Sequence, residues 1–81
     1  MKINDYICDM RKNVLYEIYK KHDGNTLSVY RFVYNTKGIV EAYRKVPKGE
    51  LNLMNIDVGF AHDVYYQGET ITKEEYEQFK P

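Results

Sequence analysis

The apolar positions in the first part of the chain follow a helical period. Between residues 3 and 18 they recur every three or four residues, which is the spacing of one face of an α-helix. Asp5 near the start and Lys20 near the end suit the helix dipole, and Gly24 follows as a left-handed C-cap. The pattern predicts an N-terminal amphipathic helix over about residues 4–22, with an apolar face made of Ile3, Tyr6, Ile7, Met10, Val14, Leu15 and Ile18.

A second interpretation divides the same segment. It ends the helix near Lys12 and makes residues 14–20 a strand, because valine, tyrosine and isoleucine favour extended structure and Asp23-Gly24 is also a hairpin signal. We favour the long helix, since its apolar face continues over the whole segment. The state of residues 14–20, helix or strand, is the main alternative that the sequence leaves open.

The middle of the chain alternates with a period of two, which is typical of strands. Residues 27–34 and 39–46 are rich in β-branched and aromatic side chains, and the segment 35–38 between them has the composition of a turn. The two segments are predicted to form an antiparallel hairpin. One face of this hairpin is aliphatic and the other is rich in tyrosine, and a single helix covers one face only.

The signals after Pro47 are shorter. Apolar residues over 51–60 change parity half-way, which predicts a bulged or broken strand, and residues 64–66 are predicted as a short strand. Thr72 and Glu75 have the spacing of a capping box, which predicts a terminal helix of about two turns.

These elements predict one domain of the α+β class. Their order is an N-terminal amphipathic helix, a small antiparallel sheet of three or four strands, and a short C-terminal helix. A chain of 81 residues suits a single hydrophobic core, so we expect residues 1–81 to form one domain.

Composition narrows the class of protein. A hydrophobic fraction of 43% and nine tyrosines favour a folded chain over a disordered one. Apolar runs are too short for a membrane span, and Cys8 is the only cysteine, so we expect a cytoplasmic protein without a membrane partner. Lys, Asn, Ile and Tyr make up 30 of 81 residues, a bias typical of AT-rich codons, which indicates a bacterium, phage or mobile element. A viral source would place the protein in the host cytoplasm.

Charge is distributed unevenly along a chain whose net charge is zero. Residues 1–48 carry ten Lys or Arg and five Asp or Glu, whereas residues 49–81 carry two and seven. Attraction between the two halves within the fold is our preferred explanation, ahead of a nucleic-acid footprint.

The sequence contains no recognisable catalytic or cofactor motif. Glycine-rich phosphate loops and a Gly-x-Ser-x-Gly motif are absent. Two His-Asp dipeptides, at residues 22–23 and 62–63, lack further ligands at a helical spacing, and Cys8 suits a small apolar filler. We therefore predict that the protein is not an enzyme and binds no metal or cofactor.

Our leading hypothesis is a small interaction protein that binds and modulates or inhibits a larger macromolecule. A protein partner is favoured, as for a phage or mobile-element regulator of a host or defence protein. Tyrosine is enriched at interfaces, and the acidic second half offers another surface, which could mimic nucleic acid against a basic groove. The candidate partner-binding residues are Tyr30, Phe32, Tyr34, Tyr43, Phe60, His62, Asp63, Tyr65 and Tyr66.

Two alternatives belong to other functional classes. Basic and aromatic residues interleave on the hairpin 27–48, as they do on sheets that bind RNA or DNA, although a net charge of zero gives phosphate attraction only through a local patch. A homo-oligomer such as a dimer, with the tyrosine face buried against itself, is the second alternative. The candidate nucleic-acid-binding residues are Arg31, Lys37, Arg44, Lys45 and Lys48.

Overall fold

An antiparallel sheet forms the centre of the fold in the computed structural model, which describes residues 14–81. Its strands lie side by side in the order β4-β3-β2-β1-β5, so the last strand in the chain pairs with the first described one. The elements are β1 (Tyr16–Asp23), β2 (Leu27–Asn35), β3 (Gly38–Val46), β4 (Gly49–Asn52), α1 (Val58–Gln67), β5 (Glu69–Ile71) and α2 (Lys73–Gln78).

The predicted hairpin is confirmed. β2 and β3 pair in antiparallel register, with a bulge between Val33 and Tyr34. Gly38 has a φ of 133°, and Gly49, at the start of β4, has a φ of 141°, a region that glycine adopts without strain. The side-chain oxygen of Asn35 accepts a 2.8 Å hydrogen bond from the backbone N–H of Lys37, which closes the β2–β3 turn.

The prediction of a helix over residues 4–22 is wrong for the part that the structure describes. Residues 16–23 form β1, which pairs with β2 along its whole length, while residues 4–13 lie outside the described residues. The second interpretation, a strand over residues 14–20, comes closer. Ile18 contacts the core beneath α1 and Tyr19 the core beneath α2, so both faces of β1 are apolar and mimic a helical spacing.

The sheet is covered on both faces. α1 buries Ala61 and Val64 against Tyr30, Phe32 and Ala42, which lie on one face. α2 packs Tyr76 against the opposite face, in a separate cluster with Tyr19, Val29 and Ile71. The α+β class is therefore confirmed, but the sheet formed by residues 14–81 has five strands where three or four were expected.

α1 occupies the segment in which strands were predicted. Residues 51–60 and 64–66 were expected to be extended, but only the start of the first segment belongs to β4. The Asp57 carboxylate accepts a 3.0 Å hydrogen bond from the backbone N–H of Phe60 and caps the helix. Ala61 and Val64 are three residues apart and both fully buried, so packing against the sheet selects the helix.

The predicted capping box at the C-terminal helix is confirmed. Thr72 Oγ1 accepts from the backbone N–H of Glu75 at 3.1 Å, and Glu75 Oε1 accepts from the backbone N–H of Thr72 at 3.4 Å. α2 begins at Lys73 and places Tyr76, 6% exposed, against the sheet.

Charges from the two halves of the chain meet in the fold. Lys21 on β1 lies 3.4 Å from Glu69 on β5, and the Nε of Arg31 on β2 lies 2.8 Å from Glu50 on β4. These two ion pairs join residues 1–48 to residues 49–81. The unequal charge distribution thus contributes to contacts within the molecule.

Candidate partner-binding surface

Four tyrosines lie together on the face of the sheet that α1 covers. Tyr16 on β1 pairs in register with Tyr34 on β2, and their rings are stacked with centroids 5.5 Å apart. The ring of Tyr65 on α1 lies 6.1 Å from that of Tyr34 and 5.2 Å from that of Tyr66. These four residues form a continuous group of rings, which we name the tyrosine surface.

The tyrosine surface is anchored at its centre and open at its ends. Tyr66 is 77% exposed and Tyr16 is 49% exposed, whereas Tyr34 and Tyr65 are half-buried. The ring of Tyr65 packs edge to face on the core residue Phe32, with ring centroids 5.4 Å apart. Burial raises the pKa of the Tyr65 hydroxyl. The two exposed rings thus adjoin rings that are already packed, so Tyr34 and Tyr65 lose little further side-chain entropy on binding.

A cleft of about 330 Å³ adjoins the tyrosine surface, between the β2–β3 turn and α1. Lys37 provides a positive charge at the cleft, and Asn35 provides an amide. The Nδ1 of His62 donates a 2.9 Å hydrogen bond to the Val58 carbonyl oxygen of the preceding helical turn, which holds the imidazole against α1. The cleft is lined by Tyr34, Asn35, Thr36, Lys37, Gly38, Ile39, His62, Tyr65 and Tyr66.

The structure brings together four of the residues proposed from the sequence for partner binding. Tyr34, His62, Tyr65 and Tyr66 all line this cleft. Asp63 is exposed on α1, next to His62 in sequence, but does not line the cleft.

The other aromatic candidates lie elsewhere. Tyr30 and Phe32 are 3% and 0% exposed, so they belong to the core and offer no free surface for the partner that the sequence analysis assigned to them. The cause is α1, which packs directly on this face. Tyr43 lies on the opposite face, and Phe60 lies near the start of α1, with its ring 6.3 Å from that of His22.

Sequence reasoning missed Tyr16. It is not part of the apolar face predicted for the N-terminal helix, and only the strand interpretation of residues 14–20 places it opposite Tyr34. The β-branched and aromatic content of residues 14–20 favours a strand, and this was the signal that could have identified Tyr16.

The face beneath α2 carries a polar network centred on Arg31. Its Nε and Nη2 donate to the two carboxylate oxygens of Glu50 at 2.8 and 2.9 Å, and its Nη1 donates to Glu17 at 2.9 Å. The Tyr76 hydroxyl donates to Glu50 at 2.5 Å. The guanidinium also stacks 4.5 Å from the ring centre of Tyr43.

The network shifts the ionisation of its members. Hydrogen bonding by Arg31 lowers the pKa of the Glu50 carboxyl, with a further contribution from Tyr76. Burial raises the pKa of the Tyr76 hydroxyl, and the bond to Glu50 adds to that effect. Because every charge here has a partner that belongs to the fold, the network fastens α2 and β4 to the sheet.

The five basic candidates for nucleic-acid binding do not form one patch. Arg31 is neutralised by two carboxylates, and the Nζ of Lys45 donates to the carbonyl oxygens of Tyr76 and Glu77 at 2.7 Å. Arg44 points to the face that carries α1. Lys37 and Lys48 lie in the β2–β3 and β3–β4 turns, at opposite ends of β3.

The described residues give no metal-binding group. Within residues 14–81, no three His, Cys, Asp or Glu side chains are placed so that they could hold a metal ion. His22 lies near the end of β1 and His62 lies on α1 at the cleft of the tyrosine surface, so the two His-Asp dipeptides do not converge. Neither helix in this part of the chain has the length and apolar character needed to cross a membrane.

Comparison with known proteins gives no functional assignment, so the geometry of the described residues is the basis for one. No protein family, curated protein or solved structure matches this chain. The tyrosine surface and its cleft are therefore judged on their own chemistry.

Proposed function

We propose that this protein is a small, non-enzymatic interaction protein that binds a larger protein through the tyrosine surface and thereby modulates or inhibits it. The supporting observation is the contiguous set of rings from Tyr16 to Tyr66, exposed at its ends and packed on the core at its centre.

Tyrosine suits this role because each ring contributes a large contact area at a low entropy cost and a hydroxyl for hydrogen bonding. The cleft beside the rings adds the Lys37 ammonium and the Asn35 amide. An apolar centre with a polar margin is the usual composition of a protein interface. The partner would fill the cleft with a side chain while covering the rings.

A protein partner is better supported than nucleic acid. Arg31 and Lys45 already bind acceptors of the fold, and the remaining basic candidates lie apart. Affinity for nucleic acid requires several cations aligned with the phosphates of one backbone. The dispersed charges of the hairpin 27–48 provide no such alignment.

A regulator encoded by a phage or mobile element, acting on a host or defence protein in the cytoplasm, is the biological setting that we propose. Small size and AT-rich residue usage support it. The acidic second half contributes less to this proposal, since Glu50 and Glu69 are paired with basic residues of the same chain.

The test is affinity capture from a bacterial lysate with the whole chain and two matched variants. Tyr16→Ser combined with Tyr66→Ser removes the two exposed rings, and Ile56→Ser removes an apolar side chain that is 63% exposed before α1 begins. We expect the wild-type protein and Ile56→Ser to retain one stoichiometric protein. The double variant should retain at least about ten times less, since tyrosine is among the residues that contribute most to such interfaces.

Three results would contradict the proposal. Equal capture by the double variant would place the interface elsewhere, and capture abolished by nuclease would indicate the nucleic-acid alternative. A purified protein whose mass by light scattering is that of a dimer, and which becomes a monomer in the double variant, would indicate self-association.

A further inference from the structure

A second cleft lies on the same face of the sheet, beside the β1–β2 turn. Its volume is about 150 Å³, and its walls come from β1, the turn, β2, β3 and the first turn of α1. The side chains that define its chemistry are His22, Thr26, Ser28, Tyr30, Arg44 and Phe60. It shares no residue with the cleft of the tyrosine surface.

Arg44 is the central charge of this cleft. It lies opposite Tyr30 in the β2–β3 register, and its Nε is buried without a hydrogen-bond partner among the described residues. Arg31 on the neighbouring strand shows the usual arrangement, with Nε and Nη2 on two oxygens of one carboxylate. Buried donors without acceptors are rare, so the unpartnered Nε of Arg44 points to an acceptor that the described residues do not supply.

The rest of the lining favours a negative ligand. Asp and Glu are absent from the residues that line the cleft, while His22 on β1 adds a nitrogen donor to the guanidinium of Arg44 on β3. Thr26 and Ser28 contribute hydroxyls, and Ser28 is only 4% exposed. The Phe60 ring meets both Tyr30, at 6.1 Å, and His22, at 6.3 Å, and so forms an aromatic wall.

The volume of the cleft and the directions of its hydrogen-bond donors define the ligand further. A cleft of about 150 Å³ is smaller than the pockets of roughly 300–1,000 Å³ that hold whole cofactors or drug-sized molecules. The potential donors come from three directions, namely the end of β1, the turn with the start of β2, and β3. A planar carboxylate is satisfied by one guanidinium, whereas a tetrahedral oxyanion uses donors on several sides.

We propose that this cleft binds a phosphate monoester group. The Arg44 guanidinium rotates from its unpaired position to bind two phosphate oxygens, Thr26 and Ser28 donate to another, and the organic part of the ester rests on Phe60. The site does not depend on the proposed function, because it shares no residue with the tyrosine surface. A chain that captures no protein through its tyrosines would still bind phosphate here.

The experiment is an NMR titration of the full chain, with phenyl phosphate and inorganic phosphate as probes and acetate as the planar comparison, at constant ionic strength. We expect saturable shifts of the Thr26 and Ser28 amides and of the Arg44 Nε–H signal. Arg44→Gln should weaken phenyl phosphate binding at least about tenfold, since hydrogen bonds between charged groups are the strong ones. Lys48→Gln, which removes a positive charge in the β3–β4 turn, should leave binding unchanged.

His22→Gln is the second variant, for the case in which Arg44→Gln disturbs the fold, and it should weaken binding with the chain still folded. Tighter binding of phenyl phosphate than of inorganic phosphate supports a monoester site, whereas tighter binding of inorganic phosphate would overturn the ester and assign the cleft to the free ion. Shifts that do not saturate, equal losses with Lys48→Gln, or equal binding of acetate at the same residues would overturn the proposal.

Discussion

Arg31 illustrates how a residue that resembles a binding group in the sequence can belong to the structure instead. Its position on a basic hairpin suggested contact with phosphate, yet it donates three hydrogen bonds to Glu17 and Glu50. Arg44, which faces the other side of the same hairpin, has a buried Nε that donates to none of the described residues. The two arginines differ because the carboxylates of Glu17 and Glu50 lie within reach of Arg31, whereas the residues that line the cleft of Arg44 include no carboxylate.

The pairing of Glu50 predicts how stability depends on pH. Hydrogen bonds from Arg31 lower the pKa of Glu50 from its ordinary value of 4.5, so the ionised carboxylate stabilises the folded state. That contribution is fully present above the unfolded pKa and is lost as the pH falls through the lower, folded pKa. Glu50→Gln should therefore reduce the free energy of unfolding at pH 7, and the difference from wild type should shrink below about pH 4.5.

Urea unfolding followed by circular dichroism at a series of pH values measures this difference. Glu74→Gln, at an exposed position on α2, is the control and should stay close to wild type throughout. A Glu50→Gln deficit that stays constant down to pH 3 would show that the carboxylate pairing does not cause it.

At the scale of elements, α1 is stabilised by hydrogen bonds at both of its ends. Asp57 caps its start, and the N–H of Gly68 donates a 2.8 Å hydrogen bond to the Val64 carbonyl oxygen at its end. Gly68 must also let the chain pass close to β1. A Cβ at this position would lie 2.6 Å from the Val64 oxygen and 3.2 Å from the Lys21 oxygen, both of which are backbone atoms.

Gly68→Ala should therefore destabilise the protein, by about 1–3 kcal/mol, because backbone atoms must move to admit the methyl group. Gly59→Ala, within α1, is the matched control, since a Cβ there meets only an Asp57 oxygen at 3.6 Å. Alanine favours helices over glycine by up to about 1 kcal/mol, so this variant should be unchanged or more stable. Equal stability of the two variants in urea unfolding would contradict the close approach at Gly68.

Elements whose signals are local were predictable from the sequence. The hairpin around Gly38 and the capping box of Thr72 and Glu75 depend on residues within a few positions of one another. β1 was not predictable in the same way, because Ile18 and Tyr19 are apolar for different partners on opposite faces. α1 was missed because its aromatic and β-branched residues favour strands locally, and its packing on Phe32 overrides that preference.

The sequence allowed us to name tyrosines that belong to the candidate surface, but not to predict which of them lie next to one another in the fold. Tyr34, Tyr65 and Tyr66 were named from their aromatic character, but their contact requires α1 to lie on β2. The same packing removes Tyr30 and Phe32 from the surface. Which tyrosines are exposed depends on where α1 packs on the sheet. The sequence pattern did not predict that position, because it did not predict α1.

At the scale of the whole molecule, the sheet carries a separate core on each side. The first four strands follow one another as an antiparallel meander, whereas β5 returns to the far edge beside β1. α2 follows β5 directly and closes the second core with Tyr76. The part of the fold beneath α2 is thus completed by the last residues of the chain.

A chain that ends at Ile71 tests this dependence. It lacks Tyr76, so Tyr19 and Val29 lose their cover, Glu50 loses a hydrogen bond, and Lys45 loses its two carbonyl acceptors. We expect the free energy of unfolding to fall by at least about 2 kcal/mol, from the apolar area exposed. Removal of Lys80 and Pro81 alone should have little effect. Equal stability of both shortened chains in urea would show that α2 contributes nothing to the second core.

The opposite placement of the tyrosine surface and α2 also determines how the molecule should be handled. Tyr66 on α1 is 77% exposed and contacts Tyr65, so a bulky group attached on this face would stand beside the exposed rings. The residues after α2 leave from the other side of the sheet. An affinity tag, dye or biosensor tether belongs at the C-terminal end, where it leaves the tyrosine surface open to the solution, while the same attachment on the face that carries α1 would obscure the contact that it is meant to report.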